Sequence, residues 1–171
     1  YFLLNYSNSL EPRAGMKYQL NPLNAINAGY GFHSQIQPLT IYFEQEMKPD
    51  SSGYLTPNRN IGMTKSHHFV IGYDRTLSEN SRFKTEAYYQ YVFNAPVDIQ
   101  KNYFSMLNEG AGLEGIAFPD TLVNKGTGKN YGLEFTLERF LYKGLYYLFT
   151  LSLYESKYEG SDGVEHNTSF N

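Results

Sequence analysis

Six segments of the chain alternate apolar and polar residues with a period of two. In one of them, Phe83, Ala87 and Tyr89 fall on one side, and Lys84 and Glu86 fall on the other. Such alternation puts successive side chains on opposite faces of a strand. We therefore predict six strands, each with one apolar and one polar face, in residues 13–20, 25–33, 67–75, 82–94, 129–140 and 145–158.

The predicted strands are half polar and unusually long. Half-polar strands favour an antiparallel sheet. Three of the segments have about nine to twelve residues, close to the length that crosses a bilayer at a tilt of about 45°. Strands of soluble proteins usually have about five or six residues. The pattern thus predicts an all-β fold that is a segment of an antiparallel transmembrane β-barrel.

Short and long connections alternate along the chain. The short ones are residues 21–24, 77–81 and 141–144, and the long ones, 34–66 and 95–128, have about 33 residues each and are rich in Gly, Pro, Asn and Ser. Outer-membrane barrels have this asymmetry, with short periplasmic turns and long extracellular loops. After the turn pair Asp162-Gly163, residues 164–171 are a candidate seventh strand, which gives about six or seven strands.

Composition narrows the function classes. The 171 residues include 17 Tyr and 12 Phe but no Cys and no Trp, which excludes a disulfide scaffold, a Cys-ligated metal and a thiol nucleophile. The net charge of −3 provides no basic field for nucleic acid. The mean hydropathy of −0.50 excludes a transmembrane helix but not alternating barrel strands. Aromatic rings on the apolar faces suit a membrane interface.

The polar faces carry charges but no catalytic pattern. Glu134 and Glu138 share a face, yet four residues of strand separate them by about 13–14 Å, and glycoside hydrolysis needs about 5–9.5 Å. We interpret them as lumen-facing charges that pair across strands, together with Arg13, Lys17, Arg82, Lys84 and Glu86. No Ser/His/Asp constellation has usable spacing. We expect no enzyme activity and no cofactor.

Histidines offer a weak candidate for a metal site. His67 and His68 are adjacent and therefore point to opposite faces of a strand. His33 and His68 fall on the polar face, at the long-loop ends of strands that we expect to be neighbours. Two histidines are an incomplete zinc or copper site, so solvated or hydrogen-bonded imidazoles are the simpler interpretation.

The long connections hold candidate ligand contacts. Their aromatic residues are Tyr42, Phe43, Tyr54, Tyr103 and Phe104. Such rings could stack on sugars or grip a siderophore or peptide, although packing of the loops against each other is the favoured alternative. Residues 110–115 match G-x-G-x-x-G, but no apolar strand precedes them and no helical pattern follows, so we interpret them as a loop.

Several motifs resemble one known family. The stretch EPRAG at residues 11–15, followed by GYGFHSQ at residues 29–35, resembles consecutive barrel strands of TonB-dependent outer-membrane receptors. The similarity is to the subfamily with a carboxypeptidase-regulatory-like N-terminal domain. Residues 66–74, 84–90, 95–97, 124–134 and 152–158 continue the pattern.

The resemblance implies a transport function. It implies energy-coupled uptake of a scarce nutrient (a siderophore, glycan, peptide or metal complex) across the bacterial outer membrane. The implied partners are outer-membrane lipid, the receptor's own plug domain, TonB acting through the plug, and the nutrient.

The family's barrel has about 22 strands, which six or seven cannot close. We therefore expect residues 1–171 to be part of a single transmembrane β-barrel domain whose plug and remaining strands lie outside this sequence, and an isolated chain to form an open curved sheet. Two alternatives stay open. One is a complete eight-stranded barrel that uses residues 1–8 and 164–171 as outer strands. The other is a soluble secreted β-sandwich that binds carbohydrate.

Overall fold

The chain forms one large antiparallel sheet. The computed structural model describes residues 1–109 and 119–169. Within them, seven strands pair in the order β1-β2-β5-β6-β7-β8-β9, and β3 pairs with β4 in a separate hairpin. The strands are β1 Arg13–Asn21, β2 Asn24–Gln35, β3 Glu46–Met47, β4 Tyr54–Leu55, β5 Thr64–Ser78, β6 Ser81–Asp98, β7 Leu122–Tyr142, β8 Leu145–Glu159 and β9 Glu165–Asn167. The predicted all-β, antiparallel fold is confirmed.

Among the described residues, helix is confined to two single turns in the long connections, α1 Leu39–Tyr42 and α2 Met106–Glu109. No helix of the described ranges has the length and apolar character to cross a membrane.

Tight turns join the long strands at one end of the sheet. Lys143 and Gly144, between β7 and β8, both have positive φ, 52° and 81°, which is the backbone of a type I′ hairpin turn. Between β1 and β2, the Oδ1 atom of Asn21 accepts a hydrogen bond of 3.0 Å from the N–H of Leu23. The third tight turn, Glu79 and Asn80, lies between the paired residues Ser78 and Ser81. We call this end of the sheet the turn end and the opposite end the loop end.

The register aligns apolar residues into rows across six strands. One row reads Met16, Ala28, Ile71, Ala87, Leu133 and Leu153. The next row toward the turn end reads Tyr18, Ile26, Tyr73, Thr85, Phe135 and Leu151. These rows share one side of the sheet, which we call the apolar face. Its large side chains are mostly exposed, for example Met16 at 66% and Ile71 at 58%.

The opposite side, the polar face, carries the charges that the sequence predicts there. Arg82 donates to Glu138 across β6 and β7 at 2.6 Å, and Lys17 lies 3.4 Å from Asp74. A Cβ atom at Gly72 would lie 2.5 Å from the side-chain amide of Asn27, so a larger residue there would have to displace that amide. The predicted pairing of charges across strands is confirmed for these pairs.

The sheet does not close. β1 forms one edge, and at the other edge β8 pairs with β9 only from Lys157 to Glu159. The seventh strand, predicted over residues 164–171, is limited to the three residues of β9, and residues 170–171 lie outside the described ranges. Residues 1–8 contribute an isolated bridge between Phe2 and Ser7 instead of an outer strand. The alternative of a closed eight-stranded barrel is therefore not what the described residues form.

β5, β6 and β7 extend furthest beyond their predicted bounds at the loop end. β5 begins at Thr64, β6 ends at Asp98 and β7 begins at Leu122. Alternation breaks at Asn94, which has a φ of 57°, and the register of β6 on β7 shifts on both sides of Ala95. A β-bulge of this kind resets which face each residue occupies. This explains why the end of β6 and the start of β7 were included in the predicted connection 95–128.

Candidate functional site at the loop end of the sheet

The two long connections pack together over the loop end. Their buried residues are Ile41, Tyr42, Ile61, Met106 and Leu122, with Phe2, Leu4 and Phe104 packed against them. We call this cluster the loop-end core. Tyr42 is only 1% exposed, and the N–H of Gln37 donates to its hydroxyl at 3.1 Å. Burial raises the pKa of the Tyr42 hydroxyl, so this ring is a packing residue.

Two asparagines hold the connections to β7. The fully buried Asn58 accepts from the N–H of Leu122 at 2.8 Å and donates to the carbonyl of Asp120 at 3.0 Å. Asn124 accepts from the N–H of Gly62 at 2.7 Å and donates to its carbonyl at 3.2 Å. Sequence reasoning missed both residues, because no local pattern marks an Asn whose hydrogen-bond partners lie about sixty residues away in the chain.

The second connection is also fastened to the turn between β8 and β9. Asn102 accepts through its carbonyl from the N–H of Asp162 at 3.0 Å, and its own N–H donates to the hydroxyl of Ser161 at 3.1 Å. The side chain of Asn108 accepts from the N–H of Ser169 at 2.8 Å. Hydrogen bonds from the Val164 N–H and from His166 lower the pKa of Asp162.

A cavity of about 500 Å³ lies on the polar face at the loop end. We call it the polar-face cavity. Leu107 of α2 is one of its lining residues, and a Cβ atom at Gly128 would lie 2.8 Å from the Leu107 side chain. The second connection therefore folds inward over the polar face. The cavity is lined by His33, Ser34, Gln35, Thr64, Lys65, Ser66, Gln90, Val92, Leu107 and Asn130.

A chain of neutral polar side chains crosses four strands at this cavity. Gln90 donates to the hydroxyl of Ser66 at 3.2 Å, and Asn130 donates to the Gln90 carbonyl at 2.9 Å. The hydroxyl of Ser156 donates to the Asn130 carbonyl at 2.6 Å. We call these four residues the amide ladder. It presents hydroxyl and amide groups, but no ionised group.

A second cavity, of about 540 Å³, lies between the two connections and includes Glu46, Asp98 and Asp120. We call it the outer cavity. Asp98 accepts from the backbone N–H of Gln100 at 2.9 Å and from the side chain of Asn102. This carboxylate thus holds its own loop together.

The structure brings His33 and His68 together, as the sequence predicts. Their ring centroids are 6.3 Å apart, and His33 Nδ1 lies 3.4 Å from the Arg13 guanidinium. In the part of the chain that the structure describes, no group of three or more His, Asp or Glu side chains is placed to share a metal ion. His67 lies on the apolar face, where its Nδ1 is 3.0 Å from the Tyr30 hydroxyl.

The aromatic candidates of the long connections differ in exposure. Tyr42 is buried in the loop-end core, and Phe104 packs partly against the same core, as the alternative of loop packing predicts for these two residues. Phe43, Tyr54 and Tyr103 are mostly exposed. Tyr103 and Phe104 line the outer cavity. The G-x-G-x-x-G segment, residues 110–115, lies outside the described residues.

Comparisons of the chain with protein-family models, with curated proteins and with solved structures found no match. The functional interpretation therefore rests on three features of the molecule: the exposed apolar face, the hydrogen-bonded polar face and the packed loop end.

Proposed function

We propose that the chain is part of a transmembrane β-barrel in the bacterial outer membrane, and that this barrel belongs to a TonB-dependent receptor for nutrient uptake. The observation that carries the membrane proposal is the exposed apolar face. Contiguous apolar patches above a few hundred Å² are rare on monomeric soluble proteins. Here the apolar rows cross six neighbouring strands, at about 4.8 Å per strand.

The apolar face also has the profile of a bilayer along the strands. Toward the loop end, the apolar rows are followed by a row with four aromatic residues, Tyr30, Phe69, Tyr89 and Tyr131, and with Glu155 at its β8 end, where it accepts a hydrogen bond from the Tyr131 hydroxyl. Beyond it lie Lys129, Lys157 and Glu165. The Nζ atom of each lysine is within 3.3 Å of a carboxylate oxygen of Glu165. Aromatic rings with polar tips, and then charges, are the order expected at a membrane interface.

The height of the apolar band along the strands also agrees with the proposed crossing of a bilayer. On the apolar face of β7, charged residues stand at Lys129 and Arg139, with Tyr131, Leu133, Phe135 and Leu137 between them. Ten residues of strand span about 33 Å. At a tilt of about 40°, this corresponds to about 25 Å along the membrane normal, which is the height of the apolar band in outer-membrane barrels.

The polar face supports a water-facing lumen. Its ion pairs, such as Arg82 with Glu138, would be costly in hydrocarbon because a charge at the bilayer midplane destabilises a barrel by about 2–4 kcal/mol. A soluble β-sandwich would need a second sheet over the apolar face. Among the described residues, the only other sheet is the β3–β4 hairpin of two residues per strand.

The receptor proposal is supported by the order of the barrel motifs and by the folded long connections at one end of the sheet. In such a receptor, the polar face would surround the plug domain, and the connections would meet the nutrient outside the cell. TonB would supply energy through the plug.

The membrane proposal is tested by flotation of the full chain. Refolded in the presence of phospholipid vesicles, the chain is expected to float with the lipid and to resist extraction by high salt. In plain buffer it is expected to associate through its open edges and apolar face. A monodisperse monomer in plain buffer that leaves vesicles unbound would overturn the proposal.

The receptor proposal has a separate test. The sequence encoded before Tyr1 in the gene is expected to contain a plug domain and a TonB-contacting segment. An upstream sequence with neither would remove the receptor function, while leaving the membrane proposal to the flotation result.

A further inference from the structure

We propose that the polar-face cavity binds a neutral oligosaccharide. This inference rests on the proposed function, because it names the substrate class of a barrel whose polar face surrounds the lumen. The observation behind it is the set of side chains that line the cavity.

The lining is polar and almost uncharged. It includes amides and hydroxyls from Gln35, Thr64, Ser66, Gln90 and Asn130, and no carboxylate. A cationic ligand or a metal ion would need acidic or several imidazole ligands. The cavity therefore does not suit these classes.

An anionic ligand is also poorly matched. Lys65 is the only Lys or Arg among the lining residues. Arg13, which lies beside the lining residue His33, is already 3.3 Å from the carboxylate of Glu11. Recognition of carboxylate or phosphate groups usually relies on Arg forks, and the lining supplies none.

The amide ladder leaves hydrogen-bonding capacity facing the cavity. Each amide of Gln90 and Asn130 uses one N–H within the ladder, and each carbonyl accepts one hydrogen bond. Among the contacts of the described residues, one N–H and one carbonyl lone pair of each amide remain, and so does the hydroxyl proton of Ser66. Donors and acceptors thus alternate at the inter-strand distance of about 4.8 Å. A sugar hydroxyl, which donates and accepts at once, matches this alternation.

Ring surfaces lie next to the ladder. His68 pairs with Gln90 across β5 and β6, and its ring meets those of His33 and Tyr88 at centroid distances of 6.3 Å. Apolar ring faces beside hydrogen-bonding groups suit the two kinds of surface that a pyranose presents, its C–H face and its hydroxyls. The volume of about 500 Å³ is within the usual range of ligand sites and has room for a short stretch of an oligosaccharide.

The test measures binding by the full chain folded in detergent micelles, with saturation-transfer NMR observing the ligand. The probes are maltohexaose, laminarihexaose, xylohexaose and mannohexaose, with an oligogalacturonate as the acidic comparison. At least one neutral probe is expected to bind more tightly than the acidic one. Asn130→Leu and Gln90→Leu should each weaken that binding about tenfold, because each removes hydrogen bonds to the ligand.

The matched control is Thr150→Val, which removes a polar-face hydroxyl outside the cavity and should leave binding unchanged. Circular dichroism checks that every variant keeps its strands. The proposal is overturned if no neutral probe binds, if the acidic probe binds more tightly, or if both leucine variants bind as the unaltered chain does. A chain that floats with vesicles but fails these tests would keep the proposed function and lose this inference.

Discussion

Apolar side chains are buried at the loop end but exposed on the apolar face. In the loop-end core, Ile41 and Tyr42 are fully covered by residues of the chain itself. On the apolar face, Leu133 and Leu153 remain 45% and 56% exposed. The loop end thus has a small core covered by the chain itself, whereas the described residues leave the apolar face of the sheet uncovered. The proposed position in a membrane would supply the apolar surroundings that the apolar face lacks, whereas the loop end is already covered by the chain.

The largest expected effect comes from opening the loop-end core. Ile41→Ala should destabilise the loop end by about 2–5 kcal/mol, because it leaves a cavity where Ile41 was fully buried. Native-state proteolysis of the long connections measures this loss. Leu39→Ala, in the same helical turn but at an exposed position, should change stability by about 0.5 kcal/mol or less. Equal losses of stability in the two variants would contradict the burial of Ile41 in the loop-end core.

The second test compares the two faces at neighbouring positions. Leu151 and Thr150 are both exposed, on opposite faces of β8. Leu151→Arg should destabilise the chain in bilayers by about 2–4 kcal/mol, and Thr150→Arg should have little effect. Urea unfolding from phospholipid vesicles measures both. A larger loss for Thr150→Arg would mean that the faces are assigned the wrong way round.

The buried side chain of Asn58 tests how much a hydrogen bond contributes to the stability of the loop end. Asn58→Ala leaves the N–H of Leu122 without its acceptor, which should cost about 1–3 kcal/mol. Hydrogen exchange of the Leu122 amide, measured in micelles, should accelerate accordingly. Asn60→Ala is the matched control, since Asn60 is exposed. Unchanged exchange in Asn58→Ala would show that water replaces the asparagine without cost.

A smaller effect distinguishes the polar face from a lipid-facing surface. A double-mutant cycle on Arg82 and Glu138, which are 2.6 Å apart, should give a coupling of about 0.2–1 kcal/mol. Added salt should reduce this coupling, because water reaches the pair. A coupling that is several-fold larger and insensitive to salt would indicate that the pair is shielded from water.

The smallest effect is the pH dependence of the turn between β8 and β9. Hydrogen bonds lower the pKa of Asp162 in the folded chain, so its stabilising contribution is present above the unfolded value of about 3.9. It is lost as the pH falls through the lowered folded value. Exchange of the Val164 amide should therefore accelerate below about pH 4. Asp162→Asn should abolish this acceleration; an identical pH profile in the variant would assign it to another group.

Alternation predicted the mid-span of the sheet well, because the period of two is a local property of the chain. The faces of β2, β5, β7 and β8, the three tight turns and the neighbouring of His33 and His68 all follow from it. The alternative of a closed eight-stranded barrel needs residues 1–8 as an outer strand. These residues instead turn back on themselves, and Phe2 pairs with Ser7.

The loop end was harder to predict, because its contacts join residues that are far apart in sequence. Asn58 bonds to the segment 62–64 residues ahead of it, and no local pattern marks such a partner. Composition alone makes Tyr42 a candidate ligand contact, but Phe2 packs against its ring with a centroid distance of 5.0 Å. The bulge at Asn94 similarly hid the extension of β6 to Asp98.

The most direct test of the membrane-facing sheet is a scan of spin labels along β8. The chain has no Cys, so single cysteines at residues 149–154 report one position each. In vesicles, collisions with oxygen, which concentrates in lipid, should be frequent for Phe149→Cys, Leu151→Cys and Leu153→Cys. Collisions with a water-soluble nickel chelate should be frequent for Thr150→Cys, Ser152→Cys and Tyr154→Cys. If the nickel chelate reached all six positions equally, the proposal that the apolar face contacts lipid would be contradicted.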